Sequence, residues 1–227
     1  MRLIITRPEE DAGALAQRLR GCGHQVTLKP LIKIIPRSDV VVPDLPYQAV
    51  CFTSANSARH LPDSVTRRVT AFTVGAQSAV AAMVQGFMHV EAKGGNVEGM
   101  AEHMIACLKP ERGPVLYISG SETSGDLAGA LRARGFEVSK VVAYDAVPQA
   151  LGLNADEIVS SDGVLLYSKR TASIWVGEME RLNLLPRLTH FCLSDQVASV
   201  VPDKWRKRVA QEPNETSILT LIDLAAK

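Results

Sequence analysis

Two similar α/β domains, each built on a parallel sheet, are the fold class this sequence predicts. Three observations carry that expectation: strand–helix alternation along nearly the whole chain, a gapless internal repeat, and prolines at matching repeat positions.

Apolar runs of strand length predict strands at 2–6, 25–29, 48–53, 70–74, 88–91, 114–118, 137–144, 162–167, 189–193 and 207–211. Between them, helix-period segments predict helices at 9–21, 57–61, 76–85, 97–108, 123–134, 171–181, 195–201 and 216–226. Gly23, Gly86 and Gly135 fall where a helix should stop, as a residue free to turn left-handed would. Strands that alternate with helices pair in parallel, because each crossover helix returns the chain to the same sheet edge.

The repeat is seen when "LIITRPEEDAGALAQRLRGCGHQVTLKPLIKIIP" from Leu3 is set above "VLYISGSETSGDLAGALRARGFEVSKVVAYDAVP" from Val115. Nine pairs are identical, from Glu10/Glu122 to Pro36/Pro148. The match continues as "CFTSANSA" against "LLYSKRTA", pairing Ser54 with Ser168, and as "AKGGNVEG" against "AQEPNETS", pairing Asn96 with Asn214. Two copies are too few for a solenoid and imply two similar domains. Pro36 and Pro148, each followed by a stretch without helix periodicity, mark where the chain leaves a sheet. The expected division is therefore 1–36 with 150–227 as one domain and 37–149, linker strands included, as the other.

Composition narrows the function. The chain has 227 residues, 46% hydrophobic and 22% charged, with a formal charge of +1, which argues against a nucleic-acid binder that must neutralise phosphates. "MRLIITRPEED" has no signal-peptide h-region and no run approaches a membrane span, so a cytoplasmic location is expected. Cys22, Cys51, Cys107 and Cys192 form no CxxC and read as reduced thiols.

Small polar residues follow the strands at Thr6-Arg7-Pro8, Thr53-Ser54-Ala55-Asn56, Val74-Gly75-Ala76, Gly94-Gly95-Asn96 and Ser119-Gly120-Ser121. The second half adds Ser168-Lys169-Arg170, Ser194-Asp195-Gln196 and Pro213-Asn214. In a parallel sheet all such loops gather on the carboxyl edge, where ligands bind. Any one of them also reads as ordinary helix capping. Taken together, on two domains with facing edges, they predict a ligand cleft lined by amides and hydroxyls and suited to a polycarboxylate. "SGSETSG" lacks the lysine of a phosphate loop, no GxGxxG follows the first strand, and no GxSxG elbow is present. His103 and Cys107 stand four apart without a further ligand pair, so no metal site is expected. Tyr144, near the expected crossover, has a phenol able to act as general acid; repeat copy one carries Ile32 there, so the fold does not demand a tyrosine.

"IITRP", "VCFTSANSA", "FTVGAQSAVAAM", "LYISGSETSGDLAGALRARGFEV" with "VVAYDA", and "LLYSKRTA" before "FCLSDQVA" together resemble the uroporphyrinogen-III synthase family, in order along the whole chain. The resemblance implies two Rossmann- or flavodoxin-like domains joined by a two-stranded linker, each taking its βαβ unit from one repeat copy and its remainder from the other. It implies cyclisation of the linear tetrapyrrole hydroxymethylbilane with inversion of ring D, through an azafulvene cation and a spiro intermediate, without cofactor or metal. It also implies a monomer that meets hydroxymethylbilane synthase only transiently, with no nucleic-acid or membrane partner. By motif position, Tyr144 matches the tyrosine suspected of assisting hydroxyl departure. Thr6, Arg7, Ser54, Ala55, Asn56, Gly75, Ser78, Gly94, Asn96, Ser119, Gly120, Ser121, Ser168 and Lys169 match loop positions around the substrate. Ser194 stands where many relatives have glycine, and Asp195 beside it is ill suited to carboxylates. A cytosolic two-domain sensor that binds without turnover is the alternative from another class. A two-domain glycosyltransferase suffers from the short chain.

Overall fold

Leu3, Ile4 and Ile5 are all buried although a strand turns successive side chains to opposite faces, so the first strand must be covered on both sides. It is. The computed structural model describes residues 1–93, 95–150, 152 and 155–226. In it β1 (Arg2–Ile5) is an interior strand of a five-stranded sheet. The sheet order is β11 (Lys207–Val209), β10 (Thr189–Cys192), β9 (Gly163–Leu166), β1 and β2 (Gln25–Leu28), with every neighbouring pair parallel. Leu3 and Ile5 pack with Leu15 and Leu19 of α1 (Glu9–Gly21) and with Ile218 and Ile222 of α9 (Glu215–Ala225). Ile4 belongs to the opposite layer, with Trp175 and Met179 of α7 (Lys169–Arg181) and Val197 of α8 (Asp195–Ala198). These elements form one compact unit, Met1–Lys33 with Val147–Lys227.

The other unit is Ile34–Ala146. Its sheet order is β3 (Ile32–Pro36), β8 (Val138–Pro148), β7 (Val115–Gly120), β4 (Ala49–Phe52), β5 (Thr70–Thr73) and β6 (Val90–Ala92). The five strands from β8 to β6 are parallel. Cys51, Phe72 and Tyr117 pack on Met100 and Met104 of α4 (Val97–Cys107) and on Leu127 and Leu131 of α5 (Leu127–Arg132). On the other face lie α2 (Ala55–Arg59) and α3 (Ala76–Val84), where Phe52 meets Phe87 edge to face with ring centroids 5.7 Å apart.

The internal repeat reappears as register. Leu3 pairs with Val26 on one side and Gly163 on the other, and its repeat mate Val115 pairs with Val138 and Ala49. The second unit is thus a circular permutation of the first. The chain passes from one unit to the other after Lys33 and after Ala146, within β3 and β8.

Three local departures from the sequence expectation have physical causes. The segment at 32–36, to which the apolar runs assign no element, is a strand: Ile32, Lys33 and Ile34 alternate buried, exposed, buried, and Pro36 ends it. Helix α5 begins at Leu127 and not at 123, because Gly125 holds a left-handed φ of +79° and the Asp126 side chain accepts from the Gly129 amide at 2.9 Å. The short helix α6 (Ala155–Val159) has one buried residue, Ile158, and so carries no readable apolar period. Of the four thiols, Cys51 and Cys192 are buried core groups, while Cys22 and Cys107 are exposed. Burial pushes the Cys192 thiol up to about 11 and the Cys51 thiol further.

Candidate functional site

In each unit two adjacent strands send their helices to opposite faces: β1 to α1 but β9 to α7, and β7 to α5 but β4 to α2. That divergence opens a crevice at the strands' carboxyl ends, the place where doubly wound sheets bind ligands. In the first unit the crevice is flanked by Thr6, Arg7, Ser168 and Lys169. In the second it is flanked by Ser54, Ala55, Asn56, Ser119, Gly120 and Ser121, with Tyr144 on neighbouring β8. Gly75 and Ser78 stand one loop away, at the start of α3, and Asn96 stands beyond β6 at the start of α4. Gly94 lies outside the described residues.

Several of the predicted side chains are occupied by the fold. The Thr6 hydroxyl, fully buried, donates to the Leu165 carbonyl at 2.7 Å and ties β1 to β9. The Ser119 side chain is likewise fully buried, its hydroxyl 3.5 Å from the Val141 carbonyl. Both hydroxyls face a backbone carbonyl of the adjacent strand. Arg7 is buried too: its guanidinium lies 3.3 Å from Glu215 and 3.8 Å from Asp11, over the Tyr167 ring at 4.4 Å from the centroid. Burial pushes the Tyr167 phenol well above its ordinary range. Arg7 therefore sits in an internal network of carboxylates instead of standing open as an anion hook.

Other residues cap helices. Ser54 accepts from the Asn56 amide at 3.1 Å, and Ser168 accepts from the Thr171 amide at 3.1 Å. Asn96 and its repeat mate Asn214 each accept from the amide three residues on, at 2.8 Å in both units. Asn56 holds Arg59 at 2.7 Å, and Ala55 is buried beside it. These caps satisfy amides that the sequence left open for a ligand. Helix α3 differs, because Gly75 has no side chain with which to cap it. Its first-turn amides, with Ser78 mostly buried behind them, keep the capacity to meet an anion. Lys169, the first residue of α7, is exposed.

The edge of β7 has the most defined geometry. Ser119 pairs with Val142 but Gly120 pairs with Tyr144, a bulge that leaves Ala143 unpaired. The Ser121 amide donates to the Tyr144 carbonyl at 2.9 Å, and Arg37 grips Asp145 with two bonds of 2.9 Å. That guanidinium, and after it the Ser121 side chain, holds the Asp145 carboxyl below its ordinary range. Two tyrosines stand here with different fates. The Tyr117 hydroxyl is shared with Thr53 Oγ1 at 3.1 Å, and burial pushes its phenol up to about 12. Tyr144 is only 6% exposed, yet among the described residues its hydroxyl has no hydrogen-bond partner. Its ring packs against His60 with centroids 5.8 Å apart.

Tyr117, Tyr167, His60 and Glu215 stand beside the candidate residues, and sequence reasoning does not single them out. The repeat could have pointed to Tyr167, which aligns with Thr53 beside the Ser54/Ser168 pair. His103 and Cys107, noted for their spacing, lie 3.7 Å apart, with His103 also 3.0 Å from Glu91. Among the described residues no group of three or more His, Cys, Asp or Glu side chains is arranged to hold a metal ion. No helix among the described residues is long and apolar enough to cross a membrane.

Comparison with known proteins gives one family and one fold. The family described as uroporphyrinogen-III synthase HemD matches residues 13–220. Among solved structures, the uroporphyrinogen-III synthetase from Helicobacter pylori 26695 superposes with a TM-score of 0.67 over 100% of both chains, at 17% identity. A mutant uroporphyrinogen III synthase from the extremely thermophilic bacterium Thermus thermophilus superposes with a TM-score of 0.57 at 13% identity, covering 100% of this chain and 98% of that one. No match was found among curated proteins.

Proposed function

This chain belongs to the uroporphyrinogen-III synthase family, and from that premise we propose that it cyclises hydroxymethylbilane to uroporphyrinogen III with inversion of ring D. The family reaction is that of a cyclising lyase in tetrapyrrole biosynthesis. The observation that carries the reading is the match over residues 13–220, which takes in both units and every candidate edge loop except Thr6 and Arg7.

The substrate loses its terminal hydroxyl as water, and the electron pair of the broken C–O bond leaves with the oxygen. A proton delivered to that oxygen lowers the cost of departure. Tyr144 is the group we assign to deliver it, because its hydroxyl stands at the carboxyl edge of the second unit's sheet and is not consumed by the fold. Ring closure releases a proton from the attacked pyrrole position, which restores the phenol and balances the step. Inversion depends on holding the flexible chain so that one carbon of ring D attacks, an orientational task. The uncapped N-terminus of α3, with Gly75 and Ser78, is assigned to a substrate carboxylate. Ser54, Asn96, Ser121 and Ser168 hold the helix starts and loops that shape the two edges. We place the enzyme in the cytoplasm as a monomer that meets hydroxymethylbilane synthase in passing, with no nucleic-acid partner.

The test is the isomer formed. Freshly prepared hydroxymethylbilane incubated with the protein gives the type III isomer, resolved by chromatography after oxidation to the porphyrin. Type I product alone would end the proposal, and binding without turnover would favour a sensor. Tyr144→Phe is expected to lower kcat by about 10²-fold, the low end for a lost general acid, while the residual product stays type III. Unchanged kinetics would remove Tyr144 from the mechanism.

A further inference from the structure

We propose that Gly120 is a positioning residue for the Tyr144 phenol, holding its hydroxyl in place by the absence of a side chain; this rests on the assignment of Tyr144 to proton delivery. The phenol ring lies across the end of β7, directly over the Gly120 Cα. A Cβ added at Gly120 would fall 2.7 Å from Tyr144 Cζ, 2.8 Å from Cε2 and 3.0 Å from the hydroxyl oxygen. All three atoms belong to the hydroxyl-bearing end of the ring, so any added volume displaces the reacting group itself.

Gly120 has an ordinary negative or extended φ, unlike Gly125 on the same loop at +79°, so no turn requires a glycine there. What requires it is the ring. The backbone fixes the approach from below: the Gly120–Tyr144 register follows the bulge at Ala143, and the Ser121 amide holds the Tyr144 carbonyl at 2.9 Å. The His60 ring, tilted 49° to the phenol, closes another side. Gly120, His60 and the β8 backbone together make a notch that fits one ring in one orientation.

The repeat supplies a contrast within the molecule. The positions equivalent to Gly120 and Tyr144 in copy one are Pro8 and Ile32. In copy one the β1–β2 pairing ends at Ile5 and Leu28 and Ile32 opens β3 in the other sheet, whereas in copy two the pairing runs on to Gly120 and Tyr144, so the residue without a Cβ stands where a strand end meets a tyrosine.

The experiment compares wild type, Gly120→Ala, Tyr144→Phe and the double variant, with kcat and KM measured on hydroxymethylbilane. A ring displaced by a fraction of an ångström to about 1 Å should cost Gly120→Ala about ten- to a hundred-fold in kcat. KM should stay within roughly two-fold, because no binding contact is removed. The double variant should be no slower than the slower single one, since both act through one hydroxyl. In protein labelled with 3-fluorotyrosine, the ¹⁹F resonance that disappears in Tyr144→Phe should move in Gly120→Ala while those of the other three tyrosines stay put. Wild-type kcat in Gly120→Ala, an unmoved Tyr144 resonance, or multiplicative losses in the double variant would each overturn the proposal. If Tyr144→Phe alone retains wild-type kcat, the assignment of Tyr144 fails and this proposal falls with it; if Tyr144→Phe is slow and Gly120→Ala is not, only the positioning role fails. Should Gly120→Ala not fold, Gly120→Ala with Tyr144→Leu decides: cooperative melting recovered by the smaller partner supports the notch, and no recovery overturns it.

Discussion

His190 shows how a single buried polar residue sets a pH limit on the fold. Its side chain has no exposure, yet both ring nitrogens are matched: Nδ1–H donates to the Arg206 carbonyl at 2.9 Å, and Nε2 accepts from the Trp175 indole N–H at 3.0 Å. The ring stacks on Trp205 at 5.1 Å. This pattern needs the neutral imidazole, because a protonated Nε2 would face the indole N–H donor to donor. Burial accordingly lowers its pKa to about 4. A lowered folded-state pKa means that the unfolded chain takes up the proton first as pH falls. The stability involved is fully present above about 6.5 and is lost on the way down to about 4. By pH 5 the loss should be about 2 kcal/mol. Urea unfolding at pH 7 and pH 5 should show that difference in wild type and little of it in His190→Gln. An equal pH dependence in both would dismiss His190 as the source.

At the level of elements, the same residue types serve structure and site, and the helix caps decide which. Ser168 accepts from the Thr171 amide and lies 2.8 Å from the Thr171 hydroxyl, at the head of the 13-residue helix α7 that brings Trp175 and Met179 into the core. Ser194 occupies the same kind of position before α8 and makes no side-chain cap. Ser168→Ala should cost about 1 kcal/mol of unfolding free energy, whereas Ser194→Ala should change it by less than about 0.5 kcal/mol. Equal urea midpoints for the two variants would refute the distinction. Strands are legible in the sequence because parallel strands buried on both faces read as unbroken apolar runs, such as "AVCF" and "GVLL". The polar loops after them are legible as a set, but not the state of each member. The nearer of the two carboxylates beside Arg7 is Glu215, 208 residues away, and the ring that excludes a side chain at Gly120 comes from another strand. Such contacts belong to tertiary packing and leave no local pattern. The start of α5 escapes the sequence for a local reason, since Ser, Thr, Gly and Asp serve a turn as readily as a first helical turn.

For the whole molecule, the crossed repeat separates two folding problems. The unit of Met1–Lys33 and Val147–Lys227 has strand β1 between β2 and β9, with Leu3 paired to Gly163 across 160 residues of chain. Its sheet cannot close until that long loop is spanned, an entropic cost met before any contact rewards it. The unit Ile34–Ala146 is continuous and holds five parallel strands paired only among themselves and β3. A core of Cys51, Phe72, Met100, Met104, Tyr117 and Leu127 lies wholly within it. A segment of this size with its own sheet and core should fold alone. Expressed separately, residues 34–146 should melt in one cooperative transition by far-UV circular dichroism, with the slowest amide exchange in β4 and β7. Residues 1–33, which carry β1 and β2 but not β9, should stay unstructured, since two strands and one helix cannot cover both faces of β1. A non-cooperative melt of 34–146, or exchange as fast in β4 and β7 as in its loops, would show that this unit borrows its stability from the rest of the chain.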